Sequence, residues 1–412
     1  MSHPTVVILG AGESQVQAYR EAHRLGYRVV GVDRRREALA VPLCDRFLCA
    51  STTDPAAIAG QLGGTRVAGV IAPATNPAVP TQRALSLEYG TPYRPSAEAV
   101  LASASKARFR ALVDDLGLPG YGWAHGAGEA DLAVAVGGLR YPLVVKPDDA
   151  AGSRGIGCAE QPAELGPAIR RALDWSPRGE VIVEELVEGR HCSVEAFLEE
   201  GEAAVLGVSE RMVTGRPSFV TIAHLMPAEL DTTMVRRVGK LVETICAAIG
   251  LDRGPVNFDL VVDELGEPYL IEMGARLGGN GLDRLVWHTL GVNLVEAALK
   301  LAVGEPQRLD PRPRGTGMVY ALHSGRAGAL AAIEGLEAAR RVPGVVELEL
   351  HAGVGDSVLP YEEGARKLGY LTIVARQAAQ VRGALEETLA RLRLEVVPAG
   401  GRASGGQGGR GR

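Results

Sequence analysis

Short apolar blocks alternate with helical periodicity through residues 5–95. "TVVILG", "RVVGVD", "RFLCA" and "VAGVIAP" read as strands bounded by Gly, Asp or Pro, and "ESQVQAYREAHRLG" as a helix stopped at Gly26. That order predicts a parallel sheet with right-handed crossovers. "RPSAEAVLASASKARFRALVDDLGLPG" then predicts two helices, the first capped at Ser96 and the second at Ser103 or Ser105.

The pattern changes after residue 139. "YPLVVKP" is a strand, "DDAAGSRGIG" a glycine-rich loop and "PAELGPAIRRALDW" a helix. "EVIVEELVEG" and "HCSVEAFLEEGEAAVLGVSE" read as strands in hairpins, and residues 231–250 as a helix. "GPVNFDLVVDELGEPYLIEMG" is a hairpin turning at Asp263–Glu267, and "LDRLVWHTLGVNLVEAALKLAVG" is largely helical. Residues 313–397 form a last α+β segment, and the Gly-rich tail 398–412 is expected to be disordered. The chain contains no internal repeat.

The first turn, "GAGESQ", invites comparison with the dinucleotide fingerprint G-x-G-x-x-G. Gly10 and Gly12 match, and Asp33 ends the second strand where a ribose-binding acid belongs, but Gln15 takes the third glycine position. The better reading is a first turn that holds another small molecule, or none.

Composition narrows the classes. With 412 residues, 46% of them hydrophobic, the chain has room for two to four domains. A net charge of -5 carries no polyanion-binding signature, which argues against nucleic acid and anionic membranes as partners. There is no signal-peptide pattern and no apolar run long enough to span a bilayer. Cys44, Cys49, Cys158, Cys192 and Cys246 match neither a zinc clip nor a redox pair, so reduced thiols in a cytoplasmic protein are expected. Of 44 basic residues only Lys106, Lys146, Lys240, Lys300 and Lys367 are lysine, so a retained lysine points to a place that wants a compact ammonium.

Two segments carry chemistry. In "YPLVVKPDDAAGSRGIGCAE" a strand delivers Lys146 just before a loop with Gly152, Ser153, Gly155 and Gly157. Loop amides and an ammonium together suit phosphate oxygens, although no P-loop motif is present. In "VNFDLVVDELGEPYLIEMGAR" two antiparallel strands place Asp259 and Glu272 on facing positions. Buried side by side, such carboxylates require a cation between them, and oxygen donors beside a triphosphate suit Mg²⁺; at a strand end they would simply face solvent.

Lysine, glycine loop and later carboxylate pair, in that order, resemble the ATP-grasp superfamily and its carboxylate–amine ligases over residues 5–395. The resemblance implies an α/β and α+β multidomain protein. A Rossmann-like domain at 1–95 would precede an ATP-grasp fold of two α+β subdomains, 96–180 and 181–312, and a C-terminal α+β extension would span 313–397. It makes Lys106 and Lys146 nucleotide-contacting lysines and "AAGSRGIG" a lid over the phosphates. "VIVEELVEG" resembles the adenine hinge, with the Glu184 side chain or the Glu185 carbonyl accepting from the exocyclic amine and the Val187 N–H donating to the ring. His191 falls at the ribose position, which is Glu in many relatives. Asp259 and Glu272 match the metal-binding acids, and Arg276 would face the transferred phosphoryl group or the carboxylate. Gly274 stands where the family often has Asn, so a second Mg²⁺ is left open, with Asn257, Asn280 or water completing its shell. His224 and Arg211 would line the acceptor pocket.

The implied activity is an ADP-forming ligation of a small carboxylate, activated as an acyl phosphate, to an amine. ATP and one or two Mg²⁺, or Mn²⁺, are its cofactors, and a homodimer is an option. A purine-biosynthesis-like ribotide carboxylase or formyltransferase, with Arg34, Arg35 and Arg36 binding phosphate, is the alternative within the fold. A non-catalytic nucleotide-binding protein and a nicotinamide dehydrogenase are the alternatives in other classes.

Overall fold

The structure, a computed structural model, describes residues 3–398. Beyond residue 398, the tail expected to be disordered lies outside them. No helix among the described residues is long and apolar enough to cross a membrane.

The N-terminal layer is a parallel sheet in the order Arg46–Cys49, Arg28–Asp33, Thr5–Leu9, Gly69–Ile71. Period-two alternation sends Val7, Leu9, Val30 and Val32 into one core with helices Pro55–Leu62 and Val79–Glu88. Val6, Ile8 and Val29 enter another core, against helix Val16–Arg24. The partner that completes this second face comes from far along the chain, helix Leu294–Val303. It approaches so closely that a Cβ on Gly69 would stand 2.9 Å from the Ala302 carbonyl.

Two capped helices lead onward. Ser96 Oγ accepts from Ala99 N at 3.0 Å to start Ala97–Ala104, and Ser105 Oγ accepts from Arg108 N at 3.1 Å to start Lys106–Asp115. Ser103 is not a cap; its hydroxyl donates back to the Ala99 carbonyl at 2.6 Å. The small antiparallel sheet that follows has the order Trp123–Gly126, Val181–Glu185, Leu143–Pro147, Gly157–Ala159. Helices Glu129–Ala135 and Pro162–Leu173 pack behind it.

The strand Val181–Glu185 pairs only within this small sheet, and Arg190–Glu199 only within the large one. The two are therefore not one hairpin, and the chain crosses between sheets at 186–189 rather than at the expected 180/181 boundary.

The large antiparallel sheet has eight strands. Its order is Pro268–Gly274, Gly254–Val262, Arg190–Glu199, Glu202–Val213, Thr221–Met226, Thr316–Leu322, Gly369–Ala375, Val345–Leu350. Three of these strands belong to the segment expected as a separate extension from 313. Thr221–Met226 would otherwise present an unpaired edge, and Thr316–Leu322 covers it in register. The remaining strands, Ser357–Val358, Gly328–Glu334 and Arg393–Val397, form a small sheet of their own. The hairpin turn at Asp263–Glu267 is closed by Asp263 Oδ1, which accepts from the Leu265 and Glu267 amides.

Candidate functional site

The small sheet, the large sheet and the first N-terminal turn enclose a cleft of about 760 Å³. Its floor is one face of the large sheet. Glu272 lies opposite Asp259, Asp259 opposite Ser193, and Ser193 opposite Ser209. The neighbouring row runs Gly274, Asn257, Glu195, Gly207. The residues between them, such as Val194, Val256 and Phe258, turn away into an apolar core with helix Thr232–Ala248. Alternation thus concentrates acids and amides on the cleft side and hydrocarbon on the other.

The roof comes from the small sheet. Lys146 Nζ donates to Glu184 Oε2 at 2.6 Å, and Tyr121 Oη donates to Glu184 Oε1 at 3.0 Å. Arg110, with no exposed surface, lies 3.9 Å from the same carboxylate and donates to the Leu270 carbonyl. Burial opposes ionisation of Glu184 most strongly, but the charges of Lys146 and Arg110 outweigh it and hold the carboxyl below its usual range.

A comparison with known families decides the architecture: the family described as ATP-grasp domain matches residues 139–283, which contain both Lys146 and the acid pair. The chain carries an ATP-grasp domain. The L-amino acid ligase C-terminal domain 2 matches residues 321–397. Among curated relatives, the uncharacterized protein y4rH of Sinorhizobium fredii is 27% identical over 308 residues, 74% of this chain and 63% of that protein. Carnosine synthase 1 of Gallus gallus is 29% identical over 223 residues, 49% of this chain and 24% of that protein. The chain thus spans less than two thirds of these relatives' length. Among solved structures, the L-amino acid ligase from Bacillus licheniformis superposes with a TM-score of 0.83 at 21% identity, covering 96% of this chain and all of that one. Phosphoribosylglycinamide synthetase from Anaerococcus prevotii gives 0.76 at 18% identity, covering 96% and 100%. At these identities the superpositions establish the fold.

Within the ATP-grasp cleft most expected residues converge. Lys106, Lys146, Gly152, Ser153, Glu184, Glu185, Val187, His191, Asp259, Glu272 and Arg276 all line it. Lys106 Nζ donates to the Ala150 carbonyl at 2.7 Å and so ties the root of the glycine loop to its helix. Two loop glycines do something else. Gly155 packs against Pro147 and Trp175, and Gly157 opens a strand, with Ala168 where its side chain would be. The Glu184 carboxylate is committed to Lys146 and Tyr121. His191 stacks on Phe219 at 6.1 Å, and burial, helped by Arg211, lowers it to about 4. Burial and the same arginine take His224 to about 3, with its Nδ1 3.2 Å from Ser209 Oγ.

The acid pair suits a hard cation. Asp259 and Glu272 share one face in register, and both offer only oxygen. Ser193 Oγ and Arg211 Nη1 donate to Asp259 at 2.5 and 3.0 Å, and Asn76 Nδ2 donates to Glu272 Oε1 at 2.9 Å. Burial pushes the Asp259 carboxyl up most, yet Arg211 and Ser193 keep it below its usual value, so it is anionic and ready for a cation. The cluster His125, Asp148 and Glu180, the only three-residue metal-ligating group among the described residues, has Arg178 donating to Asp148 at 2.6 Å and 3.1 Å from Glu180. It reads as an ion-pair cluster.

The opening turn departs from the dinucleotide fingerprint in its contacts as well as its residues. Gln15 Oε1 accepts from Gly12 N at 2.9 Å and its side chain covers Gly10. Asp33 accepts from Ala11 N and from Arg35, so the supposed ribose acid holds the turn together.

Two charged residues in or beneath the cleft escaped the sequence reading. Glu195, fully buried, accepts from Gly278 N at 2.9 Å and from Asn257 Nδ2 at 3.2 Å. Its signal was present in "HCSVEAF", where His191, Ser193 and Glu195 alternate with apolar residues. Lys367, one of the five lysines, bridges Glu13 at 2.9 Å and Asn280 at 3.1 Å on the cleft wall.

Proposed function

We propose that this chain is an ATP-dependent carbon–nitrogen ligase that activates a small carboxylate, such as that of an amino acid, as an acyl phosphate and joins it to an amine. The observation that carries the reading is the placement of Lys146 on one wall of a single cleft, with the in-register pair Asp259 and Glu272 on its floor. A carboxylate oxygen attacks the γ-phosphorus of ATP and ADP leaves. An amine nitrogen then attacks the acyl carbon, phosphate leaves and the nitrogen gives up a proton. No protein nucleophile is needed.

The residues act by position and charge. The Lys146 ammonium and the amides around Gly152 and Ser153 face the phosphates, and Arg276 faces the transferring group. Asp259 and Glu272 would hold Mg²⁺, which when bound neutralises triphosphate charge. His191 and His224, both neutral near pH 7, serve as hydrogen-bonding walls. The glycine loop excludes water from the acyl phosphate, and its Gly152 carbonyl already accepts from Gly364 N at 3.1 Å, across the cleft mouth. The match to an L-amino acid ligase C-terminal domain supports amino-acid-type substrates, and the cytoplasm supplies ATP, both substrates and a reducing setting for the five thiols.

Purified protein with Mg·ATP should release ADP and phosphate when offered the right acid and amine from a panel of amino acids, hydroxy acids and small amines. AMP and pyrophosphate as products would overturn the proposal. The ribotide alternative is less favoured because Arg35 is occupied by Asp33; inhibition by ribose 5-phosphate would revive it.

A further inference from the structure

Position 274 poses a structural question. It sits on the cleft face beside Glu272 and carries no side chain. A Cβ there would collide with Asn76 Oδ1 and stand 3.0 Å from the Arg276 guanidinium. The space is therefore already filled, and its occupant is a carboxamide from the N-terminal layer.

We propose that Asn76 is a ligand-binding residue of the site. In this proposal its side-chain oxygen, reaching over Gly274, joins Asp259 and Glu272 in facing the divalent cation of the nucleotide complex. The inference rests on the ligase reading above and adds a residue from outside the ATP-grasp domain.

Three observations carry it. First, the amide is oriented by its neighbours. Nδ2 faces two acceptors, Glu272 Oε1 and the Met273 carbonyl, both at 2.9 Å, so the nitrogen is there and the oxygen points away from them. Second, that oxygen has no hydrogen-bond partner although the residue is only 4% exposed. A buried acceptor left unpaired is costly and calls for a donor or a cation. Third, the other candidate carboxamides are spent. Asn257 Oδ1 accepts from Arg276 Nη1 at 3.2 Å, and Asn280 Oδ1 accepts from Lys367 at 3.1 Å. Of the three, Asn76 alone keeps an oxygen without a partner, on a side chain whose nitrogen is bonded to an acid of the pair.

The chain around Asn76 is fixed to the same floor. Ala74 N donates to the Leu277 carbonyl at 3.0 Å, and Gln15 Nε2 donates to the Pro73 carbonyl at 2.9 Å. The N-terminal layer thus holds Asn76 against Glu272, between the cleft-lining residues Thr75 and Pro77. An amide oxygen is a neutral, hard donor, suited to Mg²⁺ or Mn²⁺.

Mn²⁺ binding, read by electron paramagnetic resonance in the presence of a non-hydrolysable ATP analogue, tests this without turnover. Asn76→Ala should weaken Mn²⁺ binding about tenfold, and Asn76→Asp should keep or tighten it. Asn76→Gly combined with Gly274→Asn moves the carboxamide to the strand and should restore binding to within about threefold of wild type. Wild-type affinity in Asn76→Ala overturns the inference. So does a folded double variant that stays weak, which also decides the matter should Asn76→Ala fail to fold. Wild-type protein that binds no Mn²⁺ with nucleotide overturns the ligase reading itself, a separate outcome.

Discussion

The Arg211 guanidinium donates to Asp259 Oδ2 at 3.0 Å, placing a permanent cation against one of the two acids of the floor. Both side chains are mostly buried. Removing Arg211 leaves a buried carboxylate with only Ser193 as a donor. Arg211→Met is expected to lose roughly 3 kcal/mol of stability without metal, and to recover much of it in millimolar Mg²⁺ with nucleotide. Thermal unfolding with and without Mg·nucleotide reads both effects. An unchanged midpoint in the metal-free variant would show that the pair contributes nothing.

Lys146 and Glu184 form the corresponding pair on the roof. Lys146→Ala should lower kcat/KM for ATP by about 10²-fold, as expected for loss of one fixed charge at a phosphoryl group. Its Glu184 partner would still have Arg110 nearby, so the fold should persist. Steady-state kinetics with far-UV circular dichroism separates loss of chemistry from loss of structure. Activity within threefold of wild type would remove Lys146 from the phosphate site.

Glu195 gives a pH signature. Burial raises its carboxyl to about 8, against the opposing pull of the Gly278 amide and Arg276. Its folded pKa exceeds its unfolded value of 4.5, so the stability it contributes is complete below about pH 4.5 and lost as pH rises through about 8. Urea midpoints should fall between pH 5 and pH 8 in the wild type and be flatter across that window in Glu195→Gln. Parallel curves for the two proteins would refute the assignment.

Gly152 and Gly155 have the same positive φ, +74° and +72°, but different surroundings. A methyl group at 152 meets open space, whereas at 155 it meets Pro147 and Trp175 at 2.8 Å. Gly152→Ala should cost about 1–2 kcal/mol, from backbone conformation alone. Gly155→Ala should cost more, because packing must also yield. Denaturant titration of the two variants checks the order, and equal losses would mean that the crowding at 155 relaxes freely.

Nicotinamide binding should be absent. NAD is expected to leave the unfolding temperature unchanged while Mg·ATP raises it, because Gln15 covers Gly10 and Asp33 is bonded to Ala11 and Arg35. A rise with NAD alone would restore the dehydrogenase alternative.

Legibility in the sequence followed the range of the interactions. Asp259 and Glu272 were readable because strand alternation and a short turn fix their register within one hairpin. Ser96 and Ser105 were readable as caps because the bonds they accept lie three residues away. Asn76 was not, since its meaning depends on Glu272, a partner distant in sequence that only the folded chain brings near. The pairing of Thr316–Leu322 with Thr221–Met226 was hidden for the same reason: either strand could have ended a sheet. Gly155 and Gly157 show the converse error, in which a shared residue type suggested one role for glycines that the backbone uses in different ways.

Helix Leu294–Val303 gives the N-terminal layer the second half of its hydrocarbon core. Cut away at residue 95, that layer would carry Val6, Ile8 and the inner face of its first helix bare to water, and would be prone to aggregate. Nature and the protein engineer therefore meet the same restriction: the leading segment cannot be exchanged between paralogues as a cassette unless this late helix travels with it.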